Sequence, residues 1–375
     1  MNKSQSSESY QKVKNYLFFI SLAIDFAILY LFFISGLSVW LKDFALRFAE
    51  NFFLVNALYL ALFCLGMYVL HFPMSFFSGY YWEHRFELSN QTFHQWLYDD
   101  VKKAGLTLIV VMVLAEMIYA FLSAFSQSWW IWAGCVWLFL MFVIAKIVPN
   151  VIVPLFYKYS FVEDEDLKQR IRALFARFHV PLDDVYTIDF STKTKKANAM
   201  LCGLGRNRRV VLSDTLIEHF NADEIEAVVA HEMGHLKHHD IFKLLAINAV
   251  TIFCGLFLVH QYLRFAIGRY GMDGIADISF LPMLLIVFML FGLITTPLIN
   301  FFSRWVEKQA DVFSLQATDN REAFIAVMKK LGELNLAEYK PGRFTEIFLY
   351  DHPPLYRRIQ MAEAFKATEQ RRHAQ

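Results

Sequence analysis

His231-Glu232-Met233-Gly234-His235 is an HExxH run. On a helix, residues i and i+4 lie one turn apart on one face, so both imidazoles can reach a single Zn²⁺ at ~2.0–2.1 Å. Glu232 stands beside the first imidazole, where it can take a proton from water activated by the metal. With this chain's His and Glu frequencies, such a run arises by chance on the order of once or twice in a hundred chains. The bland alternative is a solvated helix face with two histidines.

A catalytic zinc takes a third protein ligand and keeps one position open for water. The candidate lies in Ser303-Arg304-Trp305-Val306-Glu307-Lys308-Gln309-Ala310-Asp311, where Glu307 and Asp311 stand at i and i+4. One of them can ligate while the other supports a ligand histidine through its second ring nitrogen. The alternative for Glu307 is a surface pair with Arg304 or Lys308. His238 and His239 follow the motif. A further histidine ligand would close the water position, so both read as interfacial polar residues.

Composition dictates the elements that must position these groups. Of 375 residues, 57% are hydrophobic, only 19% are charged, and 39 are Phe. Soluble chains run near ~45–50% apolar and ~25% charged, so the excess must face something other than water. A net charge of +1 gives no electrostatic case for a nucleic-acid partner. Cys64, Cys135, Cys202 and Cys254 show no CxxC spacing and read as buried free thiols, not as a disulfide framework or a Cys-type zinc site. Stretches 16–40, 52–77, 105–126, 129–156, 241–267 and 279–302 are each long enough to cross a ~30 Å hydrocarbon core. The first is too long for a signal-peptide core and lacks a cleavage site, so it is expected to stay as an uncleaved span.

Topology tests the metal assignment independently. His235 lies about six residues before the fifth span and Glu307 about five after the sixth. Two crossings return the chain to the same face, so both motifs sit within ~10 Å of one bilayer boundary. Basic residues make that side cytosolic. Lys3, Lys12, Lys14, Arg85, Lys102 and Lys103 then lie inside, against Lys42, Arg47, Arg264 and Arg269 outside. The clusters Lys193/Lys195/Lys196 and Arg206/Arg208/Arg209 fall on the same cytosolic side. Asp25, Glu116 and Lys146 lie inside the spans, where a charge must pair, snorkel or face a polar-lined chamber.

Segment 157–240 reads as α+β. Apolar periodicity predicts a helix over 164–179, and short strands are expected at 185–190, 197–201 and 209–213, separated by turns such as GLGRN. Asn221 then N-caps the metal helix, with Glu224 at the capping-box position, and that helix is expected to run toward the fifth span.

HEMGH, SRWVEKQAD and the late HPPLYRRI (352–359) together resemble the integral-membrane gluzincins typified by the type I CAAX prenyl protease. EHRFELSNQTFHQWLYDDVKK (83–103) looks like that family's cytosolic loop, and KKANAMLCGLGRNRRVVLSDTL (195–216) like its Asn-Ala strand and the approach to the metal helix. The resemblance covers nearly the whole chain. It implies His231, His235 and Glu307 as zinc ligands, with Glu232 as general base and Asp311 behind a ligand. It also implies Asn198 and Ala199 on an edge strand that pairs with the extended substrate, and His352 and Arg358 reaching into the site. On the residues alone, Asn198 is a turn residue at a strand start, and His352 caps a helix that starts at Pro353. Two features depart from the pattern. Eukaryotic members have seven spans against the six here, and Asp240 stands where many members carry another histidine.

The expected fold is a polytopic α-helical membrane protein of about six transmembrane helices with a cytosolic α+β zinc-metallopeptidase portion. Its parts are a four-span domain 1–156 with cytosolic loop 78–104, a catalytic segment 157–240, two further spans in 241–302, and a C-terminal catalytic segment 303–375. The expected function is that of a zinc metalloendopeptidase holding one Zn²⁺ per chain. The resemblance implies C-terminal processing of prenylated CAAX proteins at a cytosolic site, in a bacterial inner membrane or the endoplasmic reticulum. Two alternatives stand beside it. One is a quality-control protease for membrane proteins with the same fold. The other is a non-enzymatic scaffold or transporter with a structural metal, which would leave Glu232 without a task.

Overall fold

The computed structural model describes residues 3–203, 205, 207–270 and 274–373. Leu204 and Arg206 of the expected GLGRN turn lie outside them. Among the described residues six helices are long and apolar enough to cross a membrane: Ser6–Ile34, Phe52–Arg85, Phe93–Ala124, Trp129–Leu155, Asp240–Tyr270 and Ile278–Thr318. They coincide with the six expected stretches and mostly extend beyond them, because the helical backbone continues past the apolar core.

The first helix, α1 (Lys3–Ile34), stops short of the expected residue 40. Gly36 takes φ 77°, a left-handed value that glycine alone reaches cheaply, and the chain folds back as the short α2 (Leu37–Leu46). Ser38 on α2 donates to the Ser279 carbonyl and lies 2.6 Å from the Tyr59 hydroxyl. The ten-residue helix is thereby fastened to two spans. Beyond it come α3 (Phe52–Ser75), α4 (Phe93–Ala124) and α5 (Trp129–Ile147).

Asp25 and Lys146 take the pairing and snorkelling solutions, and Glu116 takes neither. Asp25 meets His71 at 2.6 Å. Lys146, at the end of its span, is exposed with its ammonium 4.9 Å from the Phe142 ring. The Glu116 carboxylate is buried beside Asn56. The cysteines are free, but the expectation that they are buried fails. Cys135 and Cys254 are exposed and Cys64 and Cys202 half-buried, because an apolar run in a span offers its residues to lipid as readily as to the core.

The polar portion holds a four-stranded sheet of β1 (Tyr159–Phe161), β2 (Asp184–Ile188), β3 (Ala199–Cys202) and β4 (Arg209–Ser213), in the order β1-β2-β4-β3. Strands β2 and β4 run parallel and the other pairs antiparallel, which leaves β3 at the edge. Three-residue β1 was not expected, since it is too short to show an alternating pattern. Helix α6 (Glu165–Arg177) is capped by Asp164, whose carboxylate accepts from Leu167 N. Its Leu167, Ile171, Leu174 and Phe175 form one core with Ala230 and Met233 of α7 (Ala222–Lys237) and with Phe324, Val327 and Met328 of α10 (Arg321–Leu334). Each large apolar side chain buried there contributes ~1.5–3 kcal/mol.

Helix α7, expected to run toward the fifth span, leads to it but is not continuous with it. It ends at Lys237, His239 adopts φ 55°, and α8 starts afresh at Asp240, running to Tyr270. Helix α9 (Leu281–Thr318) returns as one unbroken element from the apolar spans to the polar portion. The loop after α3 is tied to the strand region. Lys195 N donates to the Leu88 carbonyl, Glu83 pairs with Lys14 at 2.7 Å and Lys196 at 2.9 Å, and Asp99 pairs with Lys193.

Candidate metal centre and active site

The capping box forms as the sequence indicated. Asn221 Oδ1 accepts from Glu224 N, and Glu224 Oε2 accepts from Asn221 N. Helix α7 then packs on α9 through Gly234, where a Cβ would sit 3.0 Å from the Ala310 Cα. Glycine there lets the two helices approach, and Ser314 Oγ clamps them by donating to the Ala227 carbonyl at 2.7 Å. Glu307 stands one turn before Ala310, and this contact carries it over the two histidines.

His231 Nε2 lies 3.3 Å from Glu307 Oε2, and His235 Nε2 lies 3.4 Å from Glu307 Oε1. Donor atoms ~2.0–2.1 Å from a tetrahedral ion are separated by roughly 3.3 Å along each edge. The three side chains offer donor atoms all within 4.8 Å of one another, and Glu307 Oε2 is buried with no hydrogen-bond partner. A buried acceptor left open beside an imidazole fits a cation, and a two-nitrogen, one-oxygen set fits zinc.

Behind each imidazole stands a carboxylate. Asp311 Oδ1 is 2.9 Å from His231 Nδ1, and Asp240 Oδ2 is 3.0 Å from His235 Nδ1. Both aspartates are buried, and each meets a cation: Asp311 takes Arg358 Nε at 2.8 Å, and Asp240 takes Lys243 Nζ at 2.8 Å. Burial disfavours charge on His231, but the Asp311 and Glu307 carboxylates beside its ring outweigh it and raise its pKa from 6.5 to about 9 in the metal-free protein.

Glu232 and His231 line a cavity of about 150 Å³ with Asn198 and Ala199 opposite and Phe324, Val327 and Met328 of α10 as an apolar wall. Ser213 N donates to the Asn198 carbonyl at 2.9 Å, so Asn198 faces β4 and the next residue's main chain faces outward. The outward Ala199 N–H is covered by Asn198's own side chain at 3.0 Å, a contact that an incoming strand can replace. Asn335 fixes the approach to this edge, accepting from Ala197 N at 3.0 Å and donating to its carbonyl at 3.2 Å.

His352 Nε2 reaches to 3.3 Å from Glu307 Oε1, while its Nδ1 lies 2.7 Å from Asp351. Burial lowers its pKa, but the hydrogen bond to Asp351 and the charge of Glu307 prevail and raise it. Arg358 also borders the cavity, yet its guanidinium is engaged by Asp311. Every expected site residue therefore lies at the His231–Glu307 cluster or on the adjoining cavity. His238 packs on Phe313 outside the donor group. Sequence reasoning missed Asp240, Lys243 and Asn335 as supports. The unusual Asp240 was noticed, but only as a departure from a pattern.

Residues 162–366 match peptidase family M48, and residues 2–158 match the CAAX prenyl protease N-terminal domain, described as having five membrane helices. Among the described residues of that region there are four helices of spanning length plus short α2. A CAAX prenyl protease 1 homolog of Arabidopsis thaliana is 30% identical over 301 residues, 77% of this chain and 68% of that protein. An uncharacterized metalloprotease of Bacillus subtilis is 27% identical over 361 residues, 95% of this chain and 84% of that one. The crystal structure of S. mikatae Ste24p superposes with a TM-score of 0.83 at 22% identity, covering 96% of this chain and 89% of that one. The fold is shared.

Proposed function

Because the chain belongs to peptidase family M48 and is a multi-pass membrane metalloprotease, we propose that His231, His235 and Glu307 hold one zinc ion that serves endoproteolysis on the cytosolic side. Zinc supplies Lewis acidity toward water and the scissile carbonyl. Glu232, on the cavity wall, takes the proton of the attacking water and passes it to the leaving amine. Outward N–H and C=O groups of Ala199 on β3 pair with an extended substrate main chain, released to do so when Asn198 lets go of Ala199 N. His352 donates to the oxygen on which negative charge develops. Arg358 works through Asp311, holding the His231 ring rather than touching substrate.

The observation that carries this reading is the convergence of His231, His235 and Glu307 donor atoms within 4.8 Å of one another, beside a cavity bordered by the Glu232 carboxylate and a strand edge. The scaffold or transporter reading has no use for that carboxylate, and family membership removes it. A CAAX-type substrate, prenylated at its C-terminus, is the preferred one, after the homologues named as CAAX prenyl proteases. A second reading, cleavage of extended segments of damaged membrane proteins, is favoured by the edge itself, since a strand edge reads main chain and no lipid. Full-length protein in nanodiscs should contain one zinc per chain and cleave a farnesylated CAAX peptide in a chelator-reversible way. Cleavage of prenylated and plain peptides at equal kcat/KM would turn the assignment to the second reading. Full activity without metal would sink both.

A further inference from the structure

Leu290, Ile294, Leu298, Phe301 and Trp305 recur every three or four residues along α9 and are 45–75% exposed. Such a stripe faces acyl chains, and a tryptophan at its end belongs at headgroup level. The next position on the same stripe is Lys308, which is exposed.

Here the stripe meets a cavity of about 620 Å³ between the end of α9 and α11 (Leu355–His373), bordered by Arg304, Lys308, Arg357 and Arg358. Two of those cations are already matched: Arg358 by Asp311, and Arg357 by Glu346 at 2.7 Å. Arg304 donates to the carbonyls of Glu346 at 2.8 Å and Tyr350 at 2.6 Å, which are neutral. Among the described residues neither Arg304 nor Lys308 has a carboxylate within ion-pair distance. Two cations with no carboxylate at ion-pair distance, Arg304 sensing Glu346 and Asp351 only from further off, thus face a headgroup-sized space at the level where the lipid-facing stripe ends.

We propose that this cavity binds the phosphodiester headgroup of an anionic phospholipid, with the acyl chains lying along the stripe ending at Phe301 and Trp305. A zwitterionic headgroup brings its own ammonium and adds no net negative charge, whereas an anionic one supplies that charge to the two cations. A soluble phosphate shares the headgroup chemistry but makes no use of the stripe. The site shares the Asp311–Arg358 pair with the metal centre as part of its wall but is not lined by His231, His235 or Glu307. A bound lipid would brace α11 against α9, where Arg304 already holds the segment leading to His352.

The test uses full-length protein in nanodiscs of phosphatidylcholine, alone or mixed with phosphatidylglycerol, with Tm and retained lipid (by native mass spectrometry) as readouts. Wild type should gain Tm and retain phosphatidylglycerol only in the mixture. Lys308→Glu reverses an exposed charge outside the fold's core, and should weaken phosphatidylglycerol retention roughly tenfold or more while plain-peptide cleavage in phosphatidylcholine stays unchanged. Equal Tm in both lipids, or undiminished retention by the variant, would overturn the proposal. An equal Tm gain from inorganic phosphate in detergent would overturn the lipid assignment in favour of a soluble anion.

Discussion

Asp240 Oδ2 lies 3.0 Å from His235 Nδ1, so the second histidine of the metal pair is oriented from a different helix than its own. A carboxylate on the far ring nitrogen fixes the tautomer and raises the basicity of the ligating one. Asp240→Asn should therefore lower zinc affinity by ~10–100-fold with the fold intact, as measured by competition with a chelator. Affinity equal to wild type would make Asp240 a helix-start residue and no more.

The ring of His231 sets a pH dependence. Its folded, metal-free pKa of about 9 stands above the ordinary 6.5, so its proton stabilises the metal-free protein. That stabilisation is fully present below about pH 6.5 and is lost as pH rises through about 9. Zinc displaces this proton. Metal-free protein should therefore lose Tm across that window, while zinc affinity climbs. An affinity flat with pH would contradict a proton shared between His231 and its two carboxylates.

His352 is placed to donate to charge that exists only during reaction. His352→Phe should keep zinc and Tm but lose kcat by roughly 10²–10³ with little change in KM, the pattern of a transition-state contact. Unchanged kcat would return His352 to a structural role at the start of α11.

The proposed sidedness rests on basic-residue placement and on the two crossings between α7 and the end of α9. Cysteines placed at Lys196 and Lys340 should label from the cytosolic side, and one at Arg269 from the other. Opposite labelling of the first two would separate the catalytic segments.

Local features were legible in the sequence. The i, i+4 histidines, the Asn221–Glu224 capping box and most of the six apolar stretches each report on a single element. Glu307 was reachable because counting crossings is a form of distance measurement. What stayed hidden depends on contacts between elements. Asp240 serves His235 only because α7 breaks at His238 and His239, and the φ of 55° at His239 leaves no mark in apolar periodicity. Arg358 reaches Asp311 across 47 residues, and Asn335 reaches Ala197 across 138. The short α2 was absorbed into the first span because its apolar residues continue the run past Gly36. The cysteines were misplaced for a related reason: composition gives a span's apolarity but not which of its faces meets lipid.

The central claim is that three residues hold the metal while Glu232 moves the proton. Its most direct test is zinc content and single-turnover cleavage of Glu232→Gln, measured on the same preparation beside wild type. The account predicts one zinc per chain in both proteins and cleavage slower by at least ~10² in the variant. Wild-type cleavage by Glu232→Gln, or loss of its zinc, would contradict that division of labour.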